Sequence, residues 1–179
     1  LARKFPRKIN KNISKKKDLC TMIISNKYPP IPFDKELYSK RKECIRWFEK
    51  NYPKQFDLYG EGWNKFLFSQ PKLLRVFNKI PMLPEIIAKI FNQTYPSYKG
   101  VVENKMQILE RYKFSICFEN AKDIPGYITE KIFHSFFAGC VPIYLGADNI
   151  LSYIPKKCFI DLRDFNNYED LFKYMENLS

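Results

Sequence analysis

A chain of 179 residues with 31 basic and 19 acidic side chains carries a formal net charge of +12, and its length suits one domain with a core of its own. With 45% hydrophobic and 17% aromatic residues and only 6 glycines, it buries enough apolar surface to offset chain entropy, which excludes a disordered or collagen-like chain. No apolar run approaches the ~20 residues of a bilayer span, and the charged N-terminus lacks the apolar stretch of a signal peptide.

The chain starts at Leu1, which suggests a processed product or a piece of something longer. Residues 1–17, LARKFPRKINKNISKKK, hold eight basic residues and no acid, leaving the remainder close to balanced. This run reads as a solvated linker or tail; an anionic membrane face and nucleic acid are the other partners such a charge suits. No RNP-type, zinc-finger or GxxG signature accompanies it, so no nucleic-acid partner is expected.

DLCTMIIS (18–25) is apolar and stops at Asn26 before Pro29 and Pro30, which predicts a buried strand ending in a loop. Leu37 to Phe48 alternates apolar and charged residues at helical spacing, with Pro53 just beyond, and predicts a helix. FDLYG (56–60) predicts a short strand closed by Gly60. Residues 61–97 contain helical stretches, LLRVF and EIIAKIF, broken by Pro71, Pro81, Pro84 and Pro96, and read as an irregular helical insertion. The second half is more regular. A helix over 103–111, a strand over 113–120, a helix over 128–138, a strand over 141–146, a short helix over 149–153, a strand over 158–162 and a helix over 168–178 follow in turn. Five strands alternating with helices predict an α/β fold, a Rossmann-like parallel sheet with helices on both faces. Ligands then belong at the carboxyl ends of the strands, in the loops after 25, 60, 120 and 146. Neither GxGxxG nor GxxxxGK[ST] occurs, so a nucleotide must be held some other way.

Cysteines at 20, 44, 117, 140 and 158 are widely spaced, odd in number and without a CxxC pair, which argues against zinc and against a disulfide framework. Cys20 and Cys117 lie in strand-like runs and read as small core residues. His134, the single histidine, has no nucleophile motif beside it and reads as a helix-face residue. Phe133, Phe136 and Phe137 are expected to pack their helix on the sheet, and Trp47 and Trp63 to be core. Asn12, Asn92 and Asn177 fit the N-glycosylation pattern without deciding the compartment.

The chemistry concentrates in FENAKDIPGYITEK, residues 118–131, where a strand end meets a polar loop and a helix opens with Thr129, Glu130 and Lys131. The free N–H groups of the helix start would face a diphosphate, Lys131 adds a full charge, Glu130 accepts from sugar hydroxyls, and Tyr127 closes over the ligand. The same spacing also fits a plain helix start, with Thr129 as cap and Glu130 and Lys131 as a solvated first turn.

YKFSICFENAKDIPGYITEKIFHSFFAGCVPIYLGADNI resembles the donor-binding motif of the α-1,3-fucosyltransferases, an FEN strand end followed by a YITEK helix start and a G-x-VP strand. IISNK (23–27), LYSKRKECIRWFE (37–49), FDLYGEGW (56–63) and YKGVVENK (98–105) look like the other blocks of that domain in the same order, across roughly residues 18–165. The resemblance implies the donor-binding half of an inverting, two-domain GT-B enzyme. That enzyme uses GDP-fucose and makes an α-1,3 linkage to an N-acetylglucosamine or glucose residue of a glycan acceptor. By similarity Asn120, Tyr127, Glu130 and Lys131 contact GDP-fucose, and Arg41 of the LYxxR block reaches the diphosphate. Lys131 and Arg41 would stabilise the departing GDP. Taken alone, Arg41 reads as a surface charge paired with Glu36 or Glu43.

No D-x-D triplet is present; two protein cations would stand in for a metal on the diphosphate, so no cofactor or metal is expected. Asp161 and Asp164, the nearest acidic pair, are given structural roles. Ala121 replaces the family's serine, and the AKDIPG loop departs from its pattern before Tyr127. The N-terminal acceptor domain, which supplies the family's general base, is expected to lie outside this chain, so donor binding with little or no transfer is expected of these residues alone. Bacterial and viral members act in the cytoplasm and eukaryotic ones in the Golgi behind a membrane anchor, so membrane association is expected by analogy. A non-catalytic nucleotide- or glycan-binding module that keeps the fold is the alternative.

Overall fold

Alternating apolar residues on short β-branched runs build the sheet. The computed structural model describes residues 13–29, 33–68, 72–91 and 93–178. In chain order it places β1 (Asp18–Ile23), α1 (Tyr38–Asn51), β2 (Phe56–Tyr59), α2 (Leu83–Ile90), α3 (Lys105–Leu109), β3 (Tyr112–Phe118), α4 (Glu130–Phe137), β4 (Val141–Leu145), β5 (Ile160–Asp161) and α5 (Tyr168–Leu178). All four strand pairings are parallel, in the order β2-β1-β3-β4-β5. Register is set by pairs such as Cys20 with Phe56 and with Phe114, and Phe118 with Leu145.

The period of two decides which helix each side chain meets. Phe114, Ile116 and Phe118 of β3 join Cys20, Met22, Phe56 and Leu58 in a core closed by Cys44, Ile45 and Phe48 of α1 and Leu171, Phe172 and Met175 of α5. Tyr52 stacks on Phe172 with ring centres 3.5 Å apart, locking α1 to α5. Cys117 and Tyr144 point the other way, to Ile132 of α4, and Leu109 of α3 packs near Ala138 and Cys140. Helices therefore cover both faces, as the sequence pattern predicts. No helix among the described residues is long and apolar enough to cross a membrane.

Three differences from the sequence reading have local causes, and the helical insertion is as expected. The basic segment's residues 1–12 lie outside the described residues, as do Asn12 and Asn92, but its end is part of the fold. Lys16 is 5% exposed, and its ammonium donates to Leu109 O, Glu110 O and Ala138 O. It thereby caps the ends of α3 and α4, where carbonyls lack helical partners. The strand expected over 158–162 shrinks to two residues, because Asp161 accepts from Arg163 N and turns the chain into a 3-10 turn over Leu162–Asp164. Phe133 is 41% exposed, since Ile132 and Ser135 occupy the inward face of α4; Phe136 of the aromatic run packs against the core beneath. The insertion contains a 3-10 stretch over Lys72–Lys79 before α2, and Pro84 sits in the first turn of α2, where its missing N–H is harmless.

Trp63 is buried, with Trp47 packed against the same core, and Cys20, Cys44, Cys117 and Cys140 are buried free thiols while Cys158 is exposed. Burial pushes the Cys117 thiol up to about 11, consistent with structural rather than reactive cysteines.

Candidate functional site

The chain runs from β1 to β2 on one side of the sheet and returns to β3 on the other, so the topological switch point, where sheets of this kind bind ligands, lies at the carboxyl ends of β1 and β3. Two glycines let the strand exits crowd together. A Cβ on Gly60, at φ 128, would lie 2.1 Å from Ile24 O, and one on Gly146 would lie 2.4 Å from the Tyr144 hydroxyl and 2.6 Å from Glu119 Cγ.

Arg41, one turn into α1, is 3% exposed. Its Nη2 donates to Phe118 O (3.2 Å), to Glu119 O and to Asn120 Oδ1 (2.8 Å), clamping the exit of β3. Its neighbour Lys40, not Arg41, pairs with Glu43, so the surface-charge reading of Arg41 does not hold. Burial lowers the Arg41 pKa to about 10, with Tyr38 and Glu119 working against that fall; the guanidinium stays charged at neutral pH. Its Nε is buried and finds no acceptor among the described residues.

Lys131 approaches the same point from α4. Its Nζ lies 2.9 Å from Glu119 Oε2 and 3.4 Å from Asn120 Oδ1, so both cations converge on one amide oxygen. Its side chain is 21% exposed, which makes it the more accessible of the two charges. Burial lowers the Lys131 pKa below its ordinary value, Glu119 opposes that fall, and Arg41 adds to it by repulsion. Asn120 Nδ2 donates to the Tyr127 hydroxyl at 3.1 Å, so Arg41, Asn120, Lys131 and Tyr127 form one connected network.

Glu130 opens α4 as an exposed first-turn acid. A hydrogen bond from its own backbone N–H holds its carboxyl below the ordinary range against a smaller desolvation effect, with Lys131, Lys105 and His134 adding to the fall. Thr129 occupies the cap position without capping. Its N–H donates to Glu119 Oε1 (2.8 Å) and its hydroxyl to Glu119 Oε2 (2.7 Å).

Glu119 is the residue that reading the sequence missed. It is 0% exposed and its carboxylate accepts from the Thr129 backbone, the Thr129 hydroxyl and Lys131. The signal was present, since a glutamate between Phe118 and Asn120 facing Thr129 and Lys131 has partners at both ends of the loop. The loop between them is well tied. Ala121 bridges Glu36, Lys122 N donates to Lys35 O, and Gly126, at φ 72, donates its N–H to Asn149 Oδ1 at 2.8 Å.

Asp161 binds Arg163 through backbone and guanidinium, and Asp164 pairs with Lys156, in keeping with structural roles. Among the described residues no three His, Cys, Asp or Glu side chains group as metal ligands. A cleft of about 220 Å³ opens at the ends of β1 and β2, lined by Ile23, Ile24, Ser25, Gly60, Val102 and Lys105 among others.

This arrangement suits an anion: two cations converge beside a helix N-terminus, and one of them, Lys131, is held by the buried carboxylate of Glu119. The family model "Glycosyltransferase family 10 (fucosyltransferase) C-term" matches residues 13–179. An α-(1,3)-fucosyltransferase FucT of Helicobacter pylori is 38% identical over 77 residues, 43% of this chain and 16% of that protein. The 4-galactosyl-N-acetylglucosaminide 3-α-L-fucosyltransferase 9 of Mus musculus is 33% identical over 153 residues, 82% of this chain and 36% of that protein. This chain thus spans well under half the length of either relative. The crystal structure of an α1,3-fucosyltransferase with GDP-fucose shares the fold, with a TM-score of 0.58 and 23% identity over 93% of this chain and 36% of that one.

Proposed function

The chain belongs to glycosyltransferase family 10, the fucosyltransferases, and we propose that it is the donor-binding domain of an α-1,3-fucosyltransferase, holding GDP-fucose for inverting transfer to a glycan. The observation that carries this reading is the convergence of Arg41 and Lys131 on Asn120 Oδ1 at the crevice between β1 and β3. A phosphate oxygen beside that amide oxygen comes within reach of the Lys131 ammonium and into the field of Arg41. Lys131, the more exposed cation, contacts the diphosphate, while Arg41 holds Asn120 in place and adds its charge from behind. Tyr127 and Glu130 face the sugar side, and the cleft beside Lys105 has room for part of the nucleoside.

Sugar transfer has an oxocarbenium-like transition state in which negative charge builds on the departing β-phosphate. Preorganised cations act most strongly there, and loss of either should lower transfer by about 10²–10³. These cations meet the diphosphate without a metal, so a chelator should leave donor affinity unchanged. An inverting transfer also needs a base at the acceptor hydroxyl. Glu119 is fully buried and engaged with three donors, and the hydrogen bond from its own backbone N–H holds the Glu130 carboxyl below the ordinary range, which makes it a weaker base. Neither suits that task, so the base and the acceptor site are assigned to a region outside these residues.

The test is calorimetric titration with GDP-fucose, GDP, UDP-galactose and a short DNA duplex. Selective binding of the guanosine nucleotides is expected. Failure to bind any of them would favour the alternative of a fold kept without its site.

A further inference from the structure

We propose that Glu119 is the positioning residue of the site: its buried carboxylate ties the first turn of α4 to the exit of β3 and holds the Lys131 ammonium charged and aimed beside Arg41. The inference rests on the donor-binding reading above and adds to it a residue that touches no ligand.

The geometry gives the carboxylate two tasks. One oxygen accepts from the backbone N–H of Thr129, the N-cap residue of α4, at 2.8 Å, the donor that a capping-box glutamate satisfies in other helices. The other accepts from Thr129 Oγ1 at 2.7 Å and Lys131 Nζ at 2.9 Å. Lys131 sits where burial and a second cation both oppose its charge, and of the acidic groups acting on it Glu119 has the larger effect, ahead of Glu130. Room for this carboxylate exists because position 146 is glycine; a Cβ there would lie 2.6 Å from Glu119 Cγ. The residue just past β4 therefore contributes through its missing side chain, and Glu119 N donates to Leu145 O at 2.9 Å to fix the approach.

Two effects of removing the charge oppose each other. A neutral side chain at 119 takes a negative charge away from an anion site, which favours anion binding. It also takes away the group that keeps Lys131 protonated, which disfavours binding as pH rises. A residue needed only for folding produces neither sign change.

The experiment compares parent, Glu119→Gln and Glu119→Asp for GDP affinity by calorimetry between pH 6 and pH 9, with circular dichroism to verify the fold. Glutamine keeps an acceptor for Thr129 N and loses the charge; aspartate keeps the charge. Expected are a Gln variant close to the parent at pH 6 that falls behind by about tenfold at pH 9, the size of one charge-assisted bond, and an Asp variant that retains the parent's alkaline behaviour. A loss equal at every pH, or no loss at any pH, overturns the proposal. A second readout needs no ligand. The pH dependence of amine acylation at Lys131, read by mass spectrometry, should shift to lower pH in Glu119→Gln, and an unshifted profile overturns the proposal even if the chain binds no GDP. Absence of GDP binding in the parent with a shifted acylation profile would instead fault the donor-binding reading alone.

Discussion

Replacing Lys16 with methionine removes an ammonium that holds two helix ends. Its Nζ lies 2.9 Å from Glu110 O, 2.9 Å from Ala138 O and 3.3 Å from Leu109 O, joining α3, α4 and the entry to β1. Hydrogen bonds from a charged group contribute about 1.5–3 kcal/mol each when both partners are buried. Here Glu110 is exposed and water can replace one bond, while methionine recovers some packing. A net loss of about 2–4 kcal/mol follows, which for a domain of this size lowers the melting temperature by about 4–16 °C. Burial lowers the Lys16 pKa from 10.5, so between the lowered value and 10.5 the unfolded chain binds more protons. The parent's stability therefore gains from this group as pH rises through that window, and Lys16→Met loses the gain. Thermal unfolding followed by circular dichroism at pH 7 measures the main effect. A melting point within about 1 °C of the parent would show that the end of the basic segment is dispensable and refute the reasoning.

Further outcomes are expected. Arg41→Ala removes three bonds to the exit of β3 and should lower both stability, by about 2–4 kcal/mol, and GDP affinity. Lys131→Ala should lower affinity with a smaller change in melting temperature, so calorimetry and thermal unfolding separate the two cations. Gly146→Ala places a Cβ 2.6 Å from Glu119 Cγ and should weaken GDP binding without touching the ligand, whereas Gly100→Ala, with nothing within 4 Å of its Cβ but φ 109, should affect stability alone. GDP affinity should fall with rising alkalinity as Lys131, lowered from 10.5, loses its proton, while the Arg41 guanidinium stays charged. An affinity flat to pH 10 would contradict the assignment of Lys131.

Much of this was readable from residue patterns because the patterns are local. Strand periodicity around Cys20, Phe114 and Ile143 depends only on neighbours two apart, and α5 begins and ends where its helical spacing does. Asn120, Tyr127 and Lys131 were recognisable from their motif, and the structure joins them to Arg41. Lys16 was not visible as a buried charge, because its partners are distant backbone carbonyls, whereas Glu119, whose partners lie 10 and 12 positions on, was legible and overlooked. Lys16 meets Ala138 O across 122 positions, and nothing in a run of lysines marks which one turns inward. Phe133 illustrates the opposite error: adjacent aromatics on a helix cannot all face the sheet, and Ser135, bonded to Cys117, takes the inward place.

The most direct test of the donor site is amide hydrogen exchange of this chain with and without GDP. Added protection concentrated in residues 119–131 and at the exit of β1, lost in Lys131→Ala, is the predicted result. Protection confined to another face, or none at saturating GDP, would contradict the assignment of the crevice between β1 and β3 as the diphosphate site.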